Sequence, residues 1–319
     1  MTLARRGKVR LSPSGNALRL KLFRFALLLP LVLGGGVASA EAQEWRDFRA
    51  ARPLGDVEAL VIELMYAGGQ LDASASETRL LYDVRLRYDA ERSLPRRDWR
   101  RAGRTGHLRL TTSSASEDWR DADDATRFGD PELELEDLPR DADVAGRLDL
   151  SLNSSVPTDL RLGIGAGRAR LNLGGARFTA LELITGAGDV EIGFARENRA
   201  AMELLSVKSG AAAFMAENLG NARFRRLEFY GFVGDVVLDF SGSWRSSAEA
   251  EIRMGLGELL MRVPAHIGVR VRRSGLASLS AANFEKVGDY WLSPNWETAR
   301  VRLEVTLVAG LGSVIVEHG

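Results

Sequence analysis

Residues 160–173 read LRLGIGAGRARLNL and residues 181–194 read LELITGAGDVEIGF. In each stretch, two runs of alternating apolar and polar residues lie on either side of a Gly-x-Gly turn. Alternation with a period of two puts Leu, Val, Ile and Phe on one side of a β-strand and Arg, Glu, Asp and Asn on the other. Each stretch therefore predicts a short strand, a glycine corner and a second short strand.

The same pattern recurs along the rest of the chain. Further copies read LEFYGFVGDVVLDF at 227–240, IRMGLGELLMRV at 252–263 and LEVTLVAGLGSVIV at 303–316, with a weaker copy at 204–215. Successive turns from Gly167 to Gly257 lie about 21–24 residues apart, which is within the range of solenoid repeats. One copy cannot bury its own apolar face, so stacking is required. The repeat predicts an all-β protein, a β-solenoid with rungs of about 21–24 residues.

The glycines of these turns are the residues predicted to shape the corners. A corner needs either a positive φ or a close approach of two backbones, and a Cβ atom would hinder both. The alternative is a phosphate-binding loop, but that loop requires a helix after the glycines. Here a strand follows them and the motif recurs. The predicted structural corner glycines are Gly165, Gly167, Gly186, Gly188, Gly234, Gly255, Gly257, Gly310 and Gly312.

The first forty residues differ from the rest. Basic residues from Arg5 to Arg24 precede an apolar run from Phe25 to Val37, which ends at Ala38-Ser39-Ala40. This is typical of a signal peptide, with Ala38 and Ala40 at the cleavage site. A retained membrane anchor is the alternative. No later stretch is long and apolar enough to cross a membrane, so we expect an exported mature chain without a membrane span.

Composition excludes several classes of function. The chain has 43 basic and 43 acidic residues, and this balance argues against a nucleic-acid partner. It has no cysteine, which rules out disulfides, thiolate metal sites and cysteine nucleophiles. The three histidines, His107, His266 and His318, are far apart in sequence, without a nucleophile motif or a metal-ligand motif. We expect no catalytic residue, no metal site and no cofactor.

Other segments have both a functional and a structural interpretation. The basic cluster at 96–101 is predicted to be a solvated loop, with an anionic-polymer site as the alternative. The acidic residues at 118–124 are predicted to be an exposed loop, with a calcium site as the alternative, and residues 132–136 an edge strand. Asp189 and Asp235, at equivalent corners, are predicted to hydrogen-bond the turn backbone, with the carboxylate pair of a polysaccharide-cleaving enzyme as the alternative. Four aromatic residues are predicted to pack in the core rather than stack on sugars: Trp244, Tyr290, Trp291 and Trp296.

The repeats resemble the toast-rack group of bacterial envelope proteins, which includes the C-terminal domain of LiaF-like envelope-stress regulators and related candidate adhesins. The resemblance is carried by residues 189–272, by the corner YAGGQL at 66–71, and by residues 283–316 with Gly288-Asp-Tyr290 and Trp296. It implies a single-stranded right-handed β-helix. Right-handed crossovers are also favoured independently. The expected domains are a signal peptide (1–40), an N-terminal toast-rack β unit with irregular loops (41–150) and the glycine-cornered solenoid (151–319).

The function expected from these observations is non-enzymatic. The chain would be a periplasmic or surface-exposed envelope scaffold or interaction module, linked by the resemblance to cell-envelope stress. Its partner would be an envelope protein or a cell-surface glycan. LiaF-like regulators place several membrane helices before this domain and this chain has only a signal-like segment, which disfavours direct control of a membrane kinase. Alternatives are an adhesin or carbohydrate-binding module and a polysaccharide-degrading enzyme.

Overall fold

The computed structural model describes residues 44–113 and 146–319, and the predicted signal peptide, the acidic segment 118–124 and the predicted edge strand 132–136 lie outside these residues. The described part is all-β, as expected, with a single four-residue helix, α1 (Leu219–Ala222). Its strands are β1 (Trp45–Pro53), β2 (Ala59–Ser76), β3 (Leu80–Asp89), β4 (Leu94–Ala102), β5 (Thr105–Ser113), β6 (Gly146–Asn153), β7 (Thr158–Asn172), β8 (Phe178–Gly193), β9 (Met202–Glu217), β10 (Phe224–Asp239), β11 (Ala248–Val263), β12 (Gly268–Gly275), β13 (Ser278–Ala281), β14 (Glu285–Val287), β15 (Tyr290–Leu292) and β16 (Arg302–His318).

Each repeat forms one long strand rather than two short ones. In β8 the chain stays in strand conformation through the glycines, but the alternation of buried residues shifts by one position between Leu183 and Val190. The pairing of β8 with β7 skips Gly186 at this point. Both halves of the strand therefore point their apolar side chains toward the same interior.

A stack of parallel strands forms the middle of the sheet. In the order of pairing it runs β2, β7, β8, β9, β10, β11 and β16. From β7 to β11 each strand pairs with the next one along the chain, and the partners are separated by 21, 24, 22 and 23 residues: Leu160 with Leu181, Leu181 with Leu205, Leu205 with Leu227, and Leu227 with Ala250.

The core consists of ladders of apolar side chains that run through this stack. One ladder contains residues that occupy equivalent positions on seven paired strands, and all of them are 2% exposed or less: Leu64, Leu162, Leu183, Val207, Phe229, Ile252 and Leu307. Full burial of such a side chain stabilises the folded state by about 1.5–3 kcal/mol. The ladders are therefore the main source of stability in a chain that has no disulfide.

The two ends of the stack are built differently from its middle. At the first end, β2 pairs with β7 on one side and with both β5 and β6 on the other. The antiparallel strands β4 and then β3 and β1 extend these two branches. The predicted boundary at residue 150 falls inside β6, so residues on both sides of it belong to one sheet.

At the other end, the last strand of the chain lies inside the sheet. β16 pairs in parallel with β11 and with β12, so Val305 lies beside Ala250, 55 residues earlier in the chain. The short antiparallel strands β15 and β14 follow β12. The 21–24-residue spacing therefore holds from β7 to β11 and does not extend to the final strand.

Buried asparagines hold the loops that connect the parallel strands. Asn198 is fully buried, and its Nδ2 donates to the carbonyl oxygens of Phe178 (2.7 Å), Ala200 (3.0 Å) and Ala222 (3.2 Å). Its Oδ1 accepts the Phe178 N–H at 2.9 Å. In the next loop the Asn221 amide donates to the Phe194 carbonyl at 2.8 Å. These side chains satisfy backbone groups that the strand ladders leave unpaired.

Candidate interaction site

One corner residue of each strand, next to or between the corner glycines, occupies an equivalent position in the register, and these residues align from strand to strand. On the first four strands of the stack the position is occupied by small residues, which are Gly68, Ala166, Ala187 and Ala211. On the last three strands the same position is occupied by Val233, Leu256 and Leu311. The register of the sheet thus brings together large apolar side chains that are far apart in sequence.

These side chains are exposed. Together with Phe232 they form a surface that we call the corner ridge, with exposed fractions of 71% for Phe232, 45% for Val233, 49% for Leu256 and 59% for Leu311. A single exposed leucine needs no explanation, whereas a row of apolar side chains marks a binding surface more often than chance.

A groove runs beside the corner ridge, on the side of the strand that precedes the glycines. It has a volume of about 700 Å³. The lining residues Ser209, Gly231 and Met254 are buried and form its floor. The floor lies below the ridge because its residues are small or buried. Phe232 and Leu256 of the ridge form one wall of the groove. The opposite rim consists of Lys208, Tyr230, Arg253 and Val308.

The cationic side chains nearest the corner ridge lie on its groove side, where Arg253 is paired with Glu251 of its own strand, and the nearest carboxylates lie on its other side. Lys208 and Arg253 lie on the rim of the groove, and Asp235 and Glu258 directly follow the ridge on β10 and β11. The Arg253 guanidinium lies 5.3 Å from the ring centre of Tyr230. Its hydrogen bond to Glu251, with Nε–Oε1 at 2.7 Å, raises its pKa, so Arg253 remains a cation.

The predicted corner glycines lie along the same line of corners in the stack, and the first and second glycine of a turn differ in backbone conformation. The first glycine of each turn (Gly165, Gly186, Gly255 and Gly310) does not have a positive φ. A Cβ atom on Gly255 would nevertheless overlap the carbonyl oxygen of Phe232. The second glycine has a positive φ in every predicted turn: 122° at Gly167, 129° at Gly188, 144° at Gly234, 138° at Gly257 and 128° at Gly312.

The basic cluster at 96–101 lies on a strand, so the prediction of a loop was wrong. Residues 94–102 form β4, which pairs antiparallel with β5 at the edge of the sheet. Trp99 packs against Tyr82 with ring centres 5.6 Å apart, and the Arg52 guanidinium lies 4.1 Å from the Trp99 ring. Arg101 makes two hydrogen bonds to Asp56, of 2.6 and 2.7 Å. A strand at the edge of a sheet can expose both of its faces and can therefore carry many charged residues. The sequence alone does not show that this segment lies at an edge, so its charges suggested a loop.

The aromatic residues weighed as a sugar platform are held by contacts within the chain. Trp244 lies edge-on to Phe224 at 5.6 Å, and its indole N–H donates to the Phe240 carbonyl at 2.8 Å. The Arg270 guanidinium lies between Tyr290 and Trp296, at 4.9 and 5.0 Å from their rings. These contacts favour the packing interpretation of both groups.

The acidic residues Asp189 and Asp235 lie on β8 and β10, which are not adjacent strands, and His318 lies at the end of β16. Asp189 pairs with Arg168 at 3.2 Å, and Asp235 is separated from it by Ala213 on the intervening strand. The His318 ring packs against Phe284 at 5.7 Å. Over residues 44–113 and 146–319, His, Asp and Glu side chains do not gather in groups of three that could hold a metal ion. Across the same ranges, no helix has the length and apolar character needed to cross a membrane.

Sequence reasoning missed the corner ridge, although a signal was present. The residue between the glycines changes from alanine in the copies at 160–173 and 181–194 to leucine in the copies at 252–263 and 303–316. An apolar residue at a position that must face outward is informative only when the register of several strands is considered together.

Comparison with solved structures gives distant likenesses. A candidate cell adhesion protein from Clostridium sporogenes ATCC 15579 is 15% identical, with a TM-score of 0.44, over 86% of this chain and 100% of that one. A candidate adhesin from Bacteroides fragilis NCTC 9343 is 9% identical, with a TM-score of 0.33, over 84% and 97%. A candidate adhesin from Parabacteroides merdae ATCC 43184 is also 9% identical, with a TM-score of 0.27, over 86% and 96%. We found no match among curated proteins.

A family comparison is more informative. The model described as "N-terminal domain of toast_rack, DUF2154" matches residues 39–215, which is more than half of the chain. The match extends from β1 through most of β9, so all four residues of the corner ridge lie beyond it. The resemblance expected from the sequence is therefore confirmed, and the chain belongs to the toast-rack family.

Proposed function

We propose that this chain is an exported, non-enzymatic protein of the bacterial envelope that binds a protein partner through the corner ridge and its groove. The observation that carries the proposal is the alignment of exposed Val233, Leu256 and Leu311 on three neighbouring rungs, flanked by Phe232. Large exposed apolar surfaces with polar borders are typical of protein–protein contacts. A scaffold role in cell-envelope stress is the form of this proposal that the resemblance to LiaF-like domains favours.

We further propose that the parallel strands coil as a single-stranded right-handed β-helix. Support comes from the pairing of β7 through β11 in chain order at separations of 21–24 residues, since a coil with one strand per rung requires a nearly constant separation. The strong preference for right-handed crossovers between parallel strands supports the handedness. A coil of this kind would hold the corner ridge rigidly, because each rung is hydrogen-bonded to its neighbours.

The chemistry of the corner ridge favours a protein over a glycan. Val233, Leu256 and Leu311 have no hydrogen-bonding groups in their side chains, and a sugar presents hydroxyl groups that would be desolvated without compensation. Tyr290 and Trp296, which could stack on a sugar, instead flank Arg270. An apolar protein surface has few hydrogen bonds to water, so its desolvation against the ridge costs less free energy than that of a sugar.

Site-specific photo-cross-linking tests the proposed surface. We expect a photoreactive amino acid at Leu256 to give a discrete cross-linked protein adduct in intact cells. The same residue at Glu249, which lies on the same strand with its side chain 71% exposed, should give none. The measurement is the mass of the adducts on a denaturing gel, followed by peptide identification.

Two results would count against the proposal. Equal adduct formation at Leu256 and Glu249 would mean that the ridge is not a preferred contact. Recovery of glycan alone at Leu256 would instead favour the adhesin or carbohydrate-binding alternative.

A further inference from the structure

We infer that the protein partner of the corner ridge is a second copy of this chain, related by a two-fold axis that runs parallel to the ridge. The inference rests on the proposed function of this surface in protein binding, and it specifies the partner. Two features of the surface carry it. The ridge lies directly beside a groove, and the charged side chains nearest the ridge are Lys208 and Arg253 on the groove side and Asp235 and Glu258 on the other side.

The corner ridge and the groove have complementary shapes in two facing copies. The corner ridge and the groove run side by side across β10 and β11, and both extend along the direction in which the strands stack. A two-fold rotation about an axis parallel to the ridge turns the second copy to face the first and keeps its strands stacked in the same direction. Displacing it sideways by one groove width places each ridge in the groove of the other copy. Phe232 and Leu256 of each copy would then be covered.

The charged side chains beside the ridge determine which two-fold axis is favourable. In this arrangement the rim of the groove in one copy, with Lys208 and Arg253, meets the side of the partner's ridge that carries Asp235 and Glu258. A two-fold axis perpendicular to the ridge and lying in the contact plane would oppose rim to rim and bring cations together. Because like charges that face each other across an interface repel, the charge pattern favours the parallel axis.

The two-fold symmetry determines which residues of the two copies meet. A two-fold contact is isologous, so residue i of one copy meets residue j of the other, and the reverse also holds. Since the axis is parallel to the ridge, each strand meets the equivalent strand of the partner. On β11 this pairs Arg253 with Glu258 twice in each dimer. The ridges contribute the apolar area and these pairs fix the register.

The test uses sedimentation velocity of the full chain, expressed with its own N-terminal segment, over a range of concentrations. We expect the unchanged chain to form dimers. Arg253→Glu places Glu against Glu258 twice, and Glu258→Arg places Arg against Arg253 twice, so each variant alone should dissociate at least about tenfold more readily. An equimolar mixture of the two variants should recover dimers, because both contacts then pair opposite charges.

The mixture separates a contact between copies from damage within one copy. Arg253 also pairs with Glu251 of its own strand, and loss of that pair cannot be repaired by adding a second variant chain. Glu249→Arg is the matched control for Glu258→Arg. It makes the same change of charge on the same strand, but Glu249 lies outside the ridge and the rim, so this variant should leave the dimer unchanged. Leu256→Glu should abolish the dimer and leave the fold of each chain intact by circular dichroism, since this side chain is 49% exposed.

The inference would be overturned by a chain that remains monomeric at every concentration, by a dimer that tolerates Leu256→Glu, or by a mixture that stays dissociated. These outcomes are distinguishable from failure of the proposed function. If the chain is monomeric and a photoreactive group at Leu256 captures a different protein, the surface binds protein and the second copy is excluded.

Discussion

Replacing Gly188 with valine is expected to reduce folding yield sharply and to destabilise any folded protein by at least about 3 kcal/mol. Gly188 has φ +129°, a conformation that costs a β-branched residue heavily. A Cβ atom at this position would also overlap the carbonyl oxygen of Gly167 on the adjacent strand. Neither problem can be relieved by rotating a side chain, because both involve the backbone. Yield after expression and the urea midpoint of unfolding measure the effect.

The same strand provides a matched control. Gly193 has no positive φ, and a Cβ atom there would meet no other atom within 4 Å. Gly193→Val is therefore expected to fold normally, with a stability equal to or slightly above that of the unchanged chain, because β-branched residues favour strands. Equal losses in the two variants, or none in either, would show that the corner glycine has no special role.

The glycines and the alternation could be recognised in the sequence because both effects are local. Burial that alternates along β8 depends only on which side of the strand a residue occupies, and the positive φ of Gly188 depends on its own backbone. The charged residues 96–101 show where local reasoning failed. Their composition is that of a loop, but pairing with β5 places them on a strand.

The position of the last strand could not be predicted because it depends on a choice between distant partners. Repeat spacing alone would place β12 beside β11, whereas β16 takes that place and pairs with β11 over fifteen positions from Ala248 to Val263. β12 has only eight residues, and a longer strand satisfies more backbone groups and buries more apolar surface. This exchange also brings Leu311 beside Leu256, and it thereby completes the corner ridge.

Shortening Asn198 to alanine is expected to cost about 3–5 kcal/mol, although the residue lies in a connecting loop. The change removes four hydrogen bonds and leaves the N–H and C=O of Phe178 and the carbonyls of Ala200 and Ala222 without this partner. Each buried group left unsatisfied costs about 1–3 kcal/mol, and relaxation of the loop recovers part of the sum. Urea unfolding measures the loss. Asn172→Ala on an exposed position of β7 is the control and should change stability by less than about 0.5 kcal/mol.

The isosteric change Asn198→Asp distinguishes hydrogen bonding from packing at this site. It preserves the volume of the side chain but replaces the amide group that donates to three carbonyl oxygens with a carboxyl oxygen. We expect it to destabilise the protein at neutral pH at least as much as Asn198→Ala, because a buried carboxylate would face three carbonyls. Burial would raise the folded-state pKa of the new carboxyl above its unfolded value of about 3.9. The protonated form can donate one hydrogen bond, so the penalty relative to the unchanged chain should shrink as the pH falls through the raised pKa and grow as it rises. A penalty that is small at neutral pH, or independent of pH, would show that Asn198 acts only by filling space.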